Sequence, residues 1–345
     1  MTQTAPTVPV SEAQPPLFVG VDVGGTNIKF GLVDDAGRTV AFSACHTHVE
    51  EGPDKGVARM ADAMGQLISG VGVDRANVPR VGLATPGTMD IPAGMLLTPH
   101  NLPSWEHYPI RDKLAAACGI PVAFDNDANA AAFGEYWVGR GKDYRSMVLL
   151  TLGTGIGGGI IIDGHVVRGE NSHGAECGHL IIDSRPDARI CMCGQPGHLE
   201  GYASATAVIR RTLEALEAGA DTSVREAWQA GAEIEPKLLY DHAKQGDRFS
   251  LDMILETAMY LGVGITSFLH VIDPHAVVLG GAMDYGGWED DIGRKFLERI
   301  RAEVRQRAFP VLAERTVIDF ASLGGDAGYL GAAGIARSEH ARNMC

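Results

Sequence analysis

Positive charge is what this 345-residue chain lacks most. Its 29 Lys and Arg stand against 43 Asp and Glu, a formal net charge of −14. A nucleic-acid or anionic-membrane surface needs basic patches, so neither is expected as a partner. Cysteine is sparse, six in the whole chain, which excludes a disulfide framework and the small secreted folds built on one. No apolar run reaches the ~20 residues of a bilayer-spanning helix. Residues 1–16 are rich in Thr, Pro and Gln and lack the basic-then-apolar layout of a signal peptide. They read as a disordered leader, and the chain as cytoplasmic. Neither G-x-x-x-x-G-K-S/T nor G-x-S-x-G occurs, which removes the Walker phosphate loop and the serine-hydrolase elbow. No short-period repeat is present, so solenoids and propellers are out.

What is present is the composition of a globular enzyme, 45% hydrophobic and 21% charged, with length enough for two domains. Leu17 to Val40 reads as a buried strand, a Gly-Gly-Thr turn, a second strand and a tight Asp-Asp-Ala-Gly turn. The same unit recurs from Met147: strand, Gly/Thr turn, strand, Asp163-Gly164 turn, strand. Between the two copies the spacing predicts helices over 53–69, 109–119 and 127–138, with strands over 81–84 and 122–124. Beyond residue 200 the pattern is mainly helical: 204–216, 236–244, 249–270, 288–306 and 327–337. Strands over 277–279 and 317–320 each run toward a Gly-Gly pair. Strands alternating with helices in two similar halves predict an α/β fold of two lobes. Ligands in such folds bind at strand carboxyl ends, so the cleft between the lobes is the expected site.

Three constellations carry chemistry. Asp22-Val23-Gly24-Gly25-Thr26 and the loop 152–159, with Gly153-Thr154-Gly155 at its tip, both follow buried strands. Glycines let backbone N–H groups converge on an anion, and a Thr hydroxyl adds a donor. Two such loops suit the spread-out β- and γ-phosphates of a nucleotide, with Asp22 acting on Mg²⁺ through water. Gly153-x-Gly155-x-x-Gly158 also matches the dinucleotide fingerprint, but that reading needs a helix directly after the loop. Here Ile160-Ile161-Ile162-Asp163-Gly164 follows, a strand and a hairpin turn, so the dehydrogenase reading fails on context. The second constellation, Asp125-Asn126-Asp127-Ala128-Asn129, sits at a strand-to-helix junction. Helix capping accounts for one of these residues, not three. A carboxylate there can take the proton of a substrate hydroxyl as it attacks phosphorus. The third is 174–200, where His179, Cys191, Cys193 and His198 offer two nitrogens and two sulfurs, the donor set of a closed zinc site. Glu176 and Glu200 are left over for a polyhydroxylated ligand. A redox pair is the competing idea, but such pairs usually read C-x-x-C, and this one is C-x-C.

Asp22-x-Gly-Gly-Thr, Asn126-Asp127-x-Asn-Ala, the 152–159 loop, Glu176-x-Gly-His179 and Cys191-x-Cys-Gly-x-x-Gly-x-x-Glu200 occur in the order found in ROK-family sugar kinases. The resemblance runs from Phe18 to Ala336. It implies an actin-like, ribonuclease-H-like (ASKHA) fold, a homodimer, and ATP-dependent phosphorylation of a hexose, glucose first, at its C6 hydroxyl. It implies an N-terminal lobe of 17–125 plus 323–345, and a C-terminal lobe of 126–322 holding the zinc segment 174–200. Asp127 would be the general base. Gly87, Asn101, Asn126, Glu176, His179 and Glu200 would hold sugar hydroxyls. Gly24, Gly25, Thr26, Asn27, Lys29, Gly153, Thr154 and Gly155 would hold phosphates beside Asp22, and Gly280-Gly281 would lie by the adenosine. The family motif has a third cysteine where this chain has His198; imidazole is a legitimate zinc ligand, and the alternative is that His198 only caps a turn. Fructose, mannose and N-acetylated sugars remain alternative acceptors, and polyphosphate an alternative donor. A non-catalytic sugar sensor is the other class. ROK repressors of that kind carry a DNA-binding domain ahead of the kinase-like body, which about sixteen polar residues do not provide.

Overall fold

Strands form where β-branched and apolar residues cluster, and their carboxyl ends carry the glycine turns. The structure, a computed structural model, describes residues 7–99 and 101–344. The first part of the chain gives β1 (Phe18–Val23), β2 (Asn27–Val33), β3 (Thr39–His46), α1 (Pro53–Gly70), β4 (Arg80–Thr85), β5 (Met89–Asp90), β6 (Met95–Leu96), α2 (Ile110–Cys118), β7 (Val122–Asn126) and α3 (Asp127–Trp137). There follow β8 (Ser146–Leu152), β9 (Ile156–Ile162), β10 (His165–Val166), α4 (Glu200–Ala203), α5 (Ala205–Glu217), α6 (Val224–Gln229), α7 (Pro236–Lys244) and α8 (Arg248–Ile272). The chain ends with β11 (Ala276–Gly281), α9 (Asp291–Arg307), α10 (Pro310–Arg315), β12 (Val317–Phe320) and α11 (Ala327–Arg342).

Two five-stranded sheets repeat one plan. The first has the order β3-β2-β1-β4-β7 and the second β10-β9-β8-β11-β12. In the first, β1, β2 and β3 are antiparallel neighbours and β1, β4 and β7 are parallel. In the second, β9 and β10 are antiparallel and β8, β11 and β12 parallel. This is the mixed α/β arrangement expected from the duplicated hairpin unit, and it agrees with the ribonuclease-H-like plan that the family resemblance implies. The chain divides into two compact units. One comprises residues to Asp143, Gly159–Ala175 and Ser322 onward; the other comprises Tyr144–Gly158 and Glu176–Ala321. The division therefore differs from a boundary at 125/126. Helix α3 stays with the first unit because it packs on α11, through Gly331, whose Cβ would lie 1.6 Å from the Ala130 carbonyl.

In the first unit α1 buries Val57, Met60, Met64, Leu67 and Ile68, the apolar stripe its spacing predicts. The small-residue helix α11 covers the sheet at very short range. A Cβ on Gly20 would lie 1.8 Å from the Tyr329 carbonyl, and one on Gly82 the same distance from that of Ala332. Only glycine permits that approach. In the second unit the long helix α8 buries Met253, Ile254, Ala258, Leu261, Ile265, Phe268 and Leu269 and packs against α7 and α9.

Three expectations are corrected here. Residues 7–16 are not a disordered leader. Val8 N–H donates to the Thr39 carbonyl (2.8 Å), Gln14 N–H to Asp34 Oδ2 (3.0 Å), and Val10–Glu12 form a 3-10 turn. The segment is thereby tied to β3 and to the turn that follows β2; residues 1–6 lie outside the described residues, as does Cys345. Second, α8 is long and apolar enough to cross a membrane by length and composition, contrary to the expectation that no stretch is. Ser250, Thr257 and Thr266 lie in the run, but all three are buried, and Thr257 and Thr266 donate to carbonyls one turn back. Arg248, Asp252 and Glu256 keep exposed charges near its start, and more than half of its most apolar window is buried inside the fold. Third, Pro109 is the N-cap of α2, not its first helical residue.

Candidate functional site

The predicted site residues fall into two sets, one in each unit. In the first unit, Asp22 lies at the end of β1 in register with Lys29 of β2. Burial raises its pKa, partly offset by the Lys29 ammonium. Room for the carboxylate comes from Gly328 of α11, where a Cβ would stand 2.3 Å from Asp22 Oδ2. Lys29 itself donates to the Gly325 carbonyl at 2.6 Å. The Gly24–Asn27 turn closes with Gly24 N–H to the Asn27 carbonyl (2.9 Å). Thr47 pins the turn from behind, its hydroxyl donating to the Gly24 carbonyl (2.7 Å) and its N–H to that of Thr26 (2.9 Å). Gly25 faces Asn101, whose carbonyl and Cβ would lie 3.3 and 3.4 Å from a Cβ at 25. Gly87 follows β4 at φ +96° against Pro99, a conformation that favours glycine.

The junction of β7 and α3 separates three polar residues by role. Asn126 is the N-cap, its Oδ1 accepting from Ala128 and Asn129 N–H (2.8 and 3.4 Å). Asp125 is 1% exposed and tied down: Arg168 Nε donates to its Oδ2 at 2.7 Å, while Asn129 Nδ2 and Asn126 N–H donate to its Oδ1, both at 2.9 Å. Asp127 is half-buried in the first turn of α3, its Oδ1 accepting from Ala128 N–H at 2.8 Å. Of the two carboxylates, Asp125 is buried and Asp127 half-buried. Nothing in the spacing pointed to Arg168. It lies 43 residues from Asp125 in sequence, and only the fold brings them together.

In the second unit, the Gly153–Gly155 loop ends β8, and Gly281 of the neighbouring strand β11 lies in register with Leu152. Gly281 has φ +93°, and a Cβ there would meet the Leu152 carbonyl at 2.2 Å. The loop and the Gly280-Gly281 pair therefore share the carboxyl end of the two central parallel strands. Exposed Glu176 precedes the 3-10 turn Cys177–His179, and its Oε2 lies 3.9 Å from His179 Nε2. Glu200 opens α4 and points back to the loop, Oε2 accepting from Ile156 N–H at 2.9 Å.

His179, Cys191, Cys193 and His198 form one cluster whose donor atoms all lie within 4.8 Å of one another. His179 Nδ1 and His198 Nδ1 are 3.2 Å apart, Cys191 Sγ and His179 Nδ1 3.8 Å, and Cys193 Sγ and His198 Nδ1 3.3 Å. A tetrahedral ion with Zn–N near 2.05 Å and Zn–S near 2.3 Å spaces its donors about 3.3–3.8 Å apart. The residues present fit such an ion. Burial, then the adjacent His179 ring, lowers the His198 pKa, favouring the neutral imidazole that ligates. The local chain is shaped for the cluster. Gly194 N–H closes a turn onto the Cys191 carbonyl (2.9 Å), and Gly197, at φ +81°, has no room for a Cβ, which would lie 2.0 Å from the Asp183 carbonyl.

The profile of the ROK family matches residues 18–339. A glucokinase of Streptomyces coelicolor is 35% identical over 326 residues, 93% of this chain and 98% of that protein. The crystal structure of a ROK hexokinase from Thermus thermophilus superimposes with a TM-score of 0.80 at 32% identity, covering 94% of this chain and 99% of that one. That of a ROK family glucokinase from Streptomyces griseus, in complex with glucose and AMPPNP, gives 0.72 at 34% identity, covering 93% and 99%. The likeness spans both units and every constellation described above, and the chain belongs to the ROK family.

Proposed function

We propose that this chain is an ATP-dependent sugar kinase that phosphorylates glucose at its C6 hydroxyl. The observation that carries the reading is a carboxylate at the β7–α3 junction that is not sealed in the core: Asp125 is buried against Arg168, whereas Asp127 is half-buried in the first turn of α3. Relatives similar along nearly the whole chain are glucokinases, and one such kinase holds glucose and AMPPNP. In this reading the C6 hydroxyl loses its proton to Asp127 as its oxygen attacks the γ-phosphorus, and the bond to the ADP oxygen breaks. Gly87, Asn101, Asn126, Glu176, His179 and Glu200 bind sugar hydroxyls. The N–H groups of Gly24–Thr26 and Gly153–Gly155, with Asn27 and Lys29, bind phosphates, and Gly280-Gly281 lies by the adenosine. Mg²⁺ held through water by Asp22 would offset phosphate charge. His179, Cys191, Cys193 and His198 would hold a structural zinc. With Nδ1 of His179 turned to that cluster, its Nε2, the nitrogen on the Glu176 side, would be left for a sugar hydroxyl with ring and tautomer fixed.

We further read the protein as a cytoplasmic homodimer without nucleic-acid or membrane partners, in keeping with its acidic balance; light scattering tests the dimer. The kinase reading is tested by a coupled assay against glucose, mannose, fructose and N-acetylated hexosamines, with ATP and polyphosphate compared. Glucose with ATP should give the highest kcat/KM. Asp127→Asn should lower kcat by about 10² to 10⁴ while glucose binding persists. Retained turnover in that variant refutes the base assignment, and no turnover on any sugar refutes the enzyme.

A further inference from the structure

Ile156 closes the second glycine loop, and the metal-binding segment holds it from two sides. Its N–H donates to Glu200 Oε2 at 2.9 Å. Its carbonyl lies against Gly178, where a Cβ would come within 2.1 Å of the oxygen; Gly178 directly precedes His179. Glu200 stands two residues after His198, and its other oxygen is 3.1 Å from Cys191 Sγ. The same carboxylate fills the space that a side chain at Gly155 would need, Oε2 lying 2.3 Å from that Cβ position. A few residues on, Ala205 N–H donates to the Gly153 carbonyl and the Thr206 hydroxyl to the Thr154 carbonyl, both at 2.9 Å. A trans peptide sets each carbonyl opposite the following N–H. Tying these two carbonyls to 205 and 206 therefore turns the N–H groups of Thr154 and Gly155 away from the segment, free to converge on an anion.

We propose that metal occupancy of the four-residue cluster and nucleotide binding at the Gly153–Gly155 loop are thermodynamically linked. The metal fixes residues 177–206, and these hold the loop in its phosphate-binding shape, Glu200 and Thr206 acting as positioning residues. The proposal rests on the reading of this loop as a phosphate site. Linkage is reciprocal, so nucleotide must strengthen metal retention by the factor that metal strengthens nucleotide binding.

The test uses the full chain without sugar. ATP affinity is measured by calorimetry on metal-loaded and chelator-stripped protein, and metal transfer to a chromogenic chelator is timed with and without ATP. Stripping should weaken ATP binding by about tenfold, within the usual range of such couplings, and ATP should slow metal transfer. Thr206→Val keeps all four ligands and should weaken ATP binding about fivefold, the worth of one hydrogen bond, at unchanged metal content. Equal ATP affinity with and without metal overturns the proposal. If stripping unfolds the protein, unchanged affinity in Thr206→Val overturns it instead. Gly153→Val separates the two readings, because among the described residues no atom beyond its chain neighbours lies within 4 Å of its Cβ position. Loss of ATP binding there supports the phosphate loop. Unchanged binding refutes the loop, and the linkage with it.

Discussion

Replacing Arg168 with Met removes the cation from a carboxylate that cannot reach water. Asp125 is 1% exposed, and Arg168 supplies its shortest contact, 2.7 Å from Nε to Oδ2. Removing one partner of a buried pair costs about 3–5 kcal/mol, because the remaining charge is left uncompensated. Two features place this case at the lower end. The Arg168 side chain is 29% exposed, and Asp125 Oδ1 keeps its bonds from Asn129 Nδ2 and Asn126 N–H. A loss of about 3 kcal/mol follows. The double variant Arg168→Met/Asp125→Asn has no buried charge and should regain about 2 kcal/mol of it, the size of coupling that contacting residues show. Urea unfolding of wild type, both single variants and the double variant measures the cycle. Turnover supplies a second readout, since Asp125 braces the N–H of Asn126, the residue before Asp127. The single Arg168 variant should lose kcat more than it changes the glucose KM. Arg168→Met within 0.5 kcal/mol of wild type, or a double variant no more stable than the single one, refutes the reasoning.

Gly328→Ala drives a Cβ toward Asp22 Oδ2, 2.3 Å away at present. The carboxylate must move, so KM for Mg·ATP should rise several-fold with glucose KM unchanged; an unaltered KM for Mg·ATP counts against Asp22 as the Mg²⁺ partner. Metal analysis should find one zinc per chain, and well under one in His198→Ala, while His198→Cys retains it; full occupancy in the Ala variant would reduce His198 to a turn residue. Asp34 sets an acid limit. Burial pushes its pKa up, but Gln14 and Arg38 N–H groups and the Arg38 guanidinium outweigh that, so the folded value lies below the ordinary 3.8. Its stabilisation is present above about pH 4 and is lost as pH falls through the folded value. Asp34→Asn should therefore be less stable than wild type at pH 6, and the gap should narrow as pH falls below the ordinary 3.8 in urea titrations. A gap that does not narrow would show that Asp34 acts through shape alone.

The motifs that carry chemistry were legible because each is local. A glycine loop, a C-x-C turn or a cap followed by a carboxylate is built from a few consecutive residues, and backbone geometry fixes what those residues can do. The duplicated strand-turn-strand unit was legible for the same reason, and it gave the common order of the two sheets. Residues 7–16 have the composition of a leader, while their partners, the Thr39 carbonyl and Asp34, lie 20 or more residues on.

What the sequence determined by itself was the inventory: two glycine-rich loops after buried strands, the Asp125–Asn129 junction, and two nitrogen and two sulfur donors in one short segment. Tertiary structure placed them. It buried Asp125 against Arg168 with Asp127 half-buried beside it, and it set His198 Nδ1 3.2 Å from His179 Nδ1. It also aimed Glu200 at Ile156, which a reading of Glu200 as a sugar ligand alone does not anticipate. Each of these placements is a side-chain contact across tens of residues. Such contacts depend on which strand ends the sheet order brings together, and spacing along the chain does not encode them.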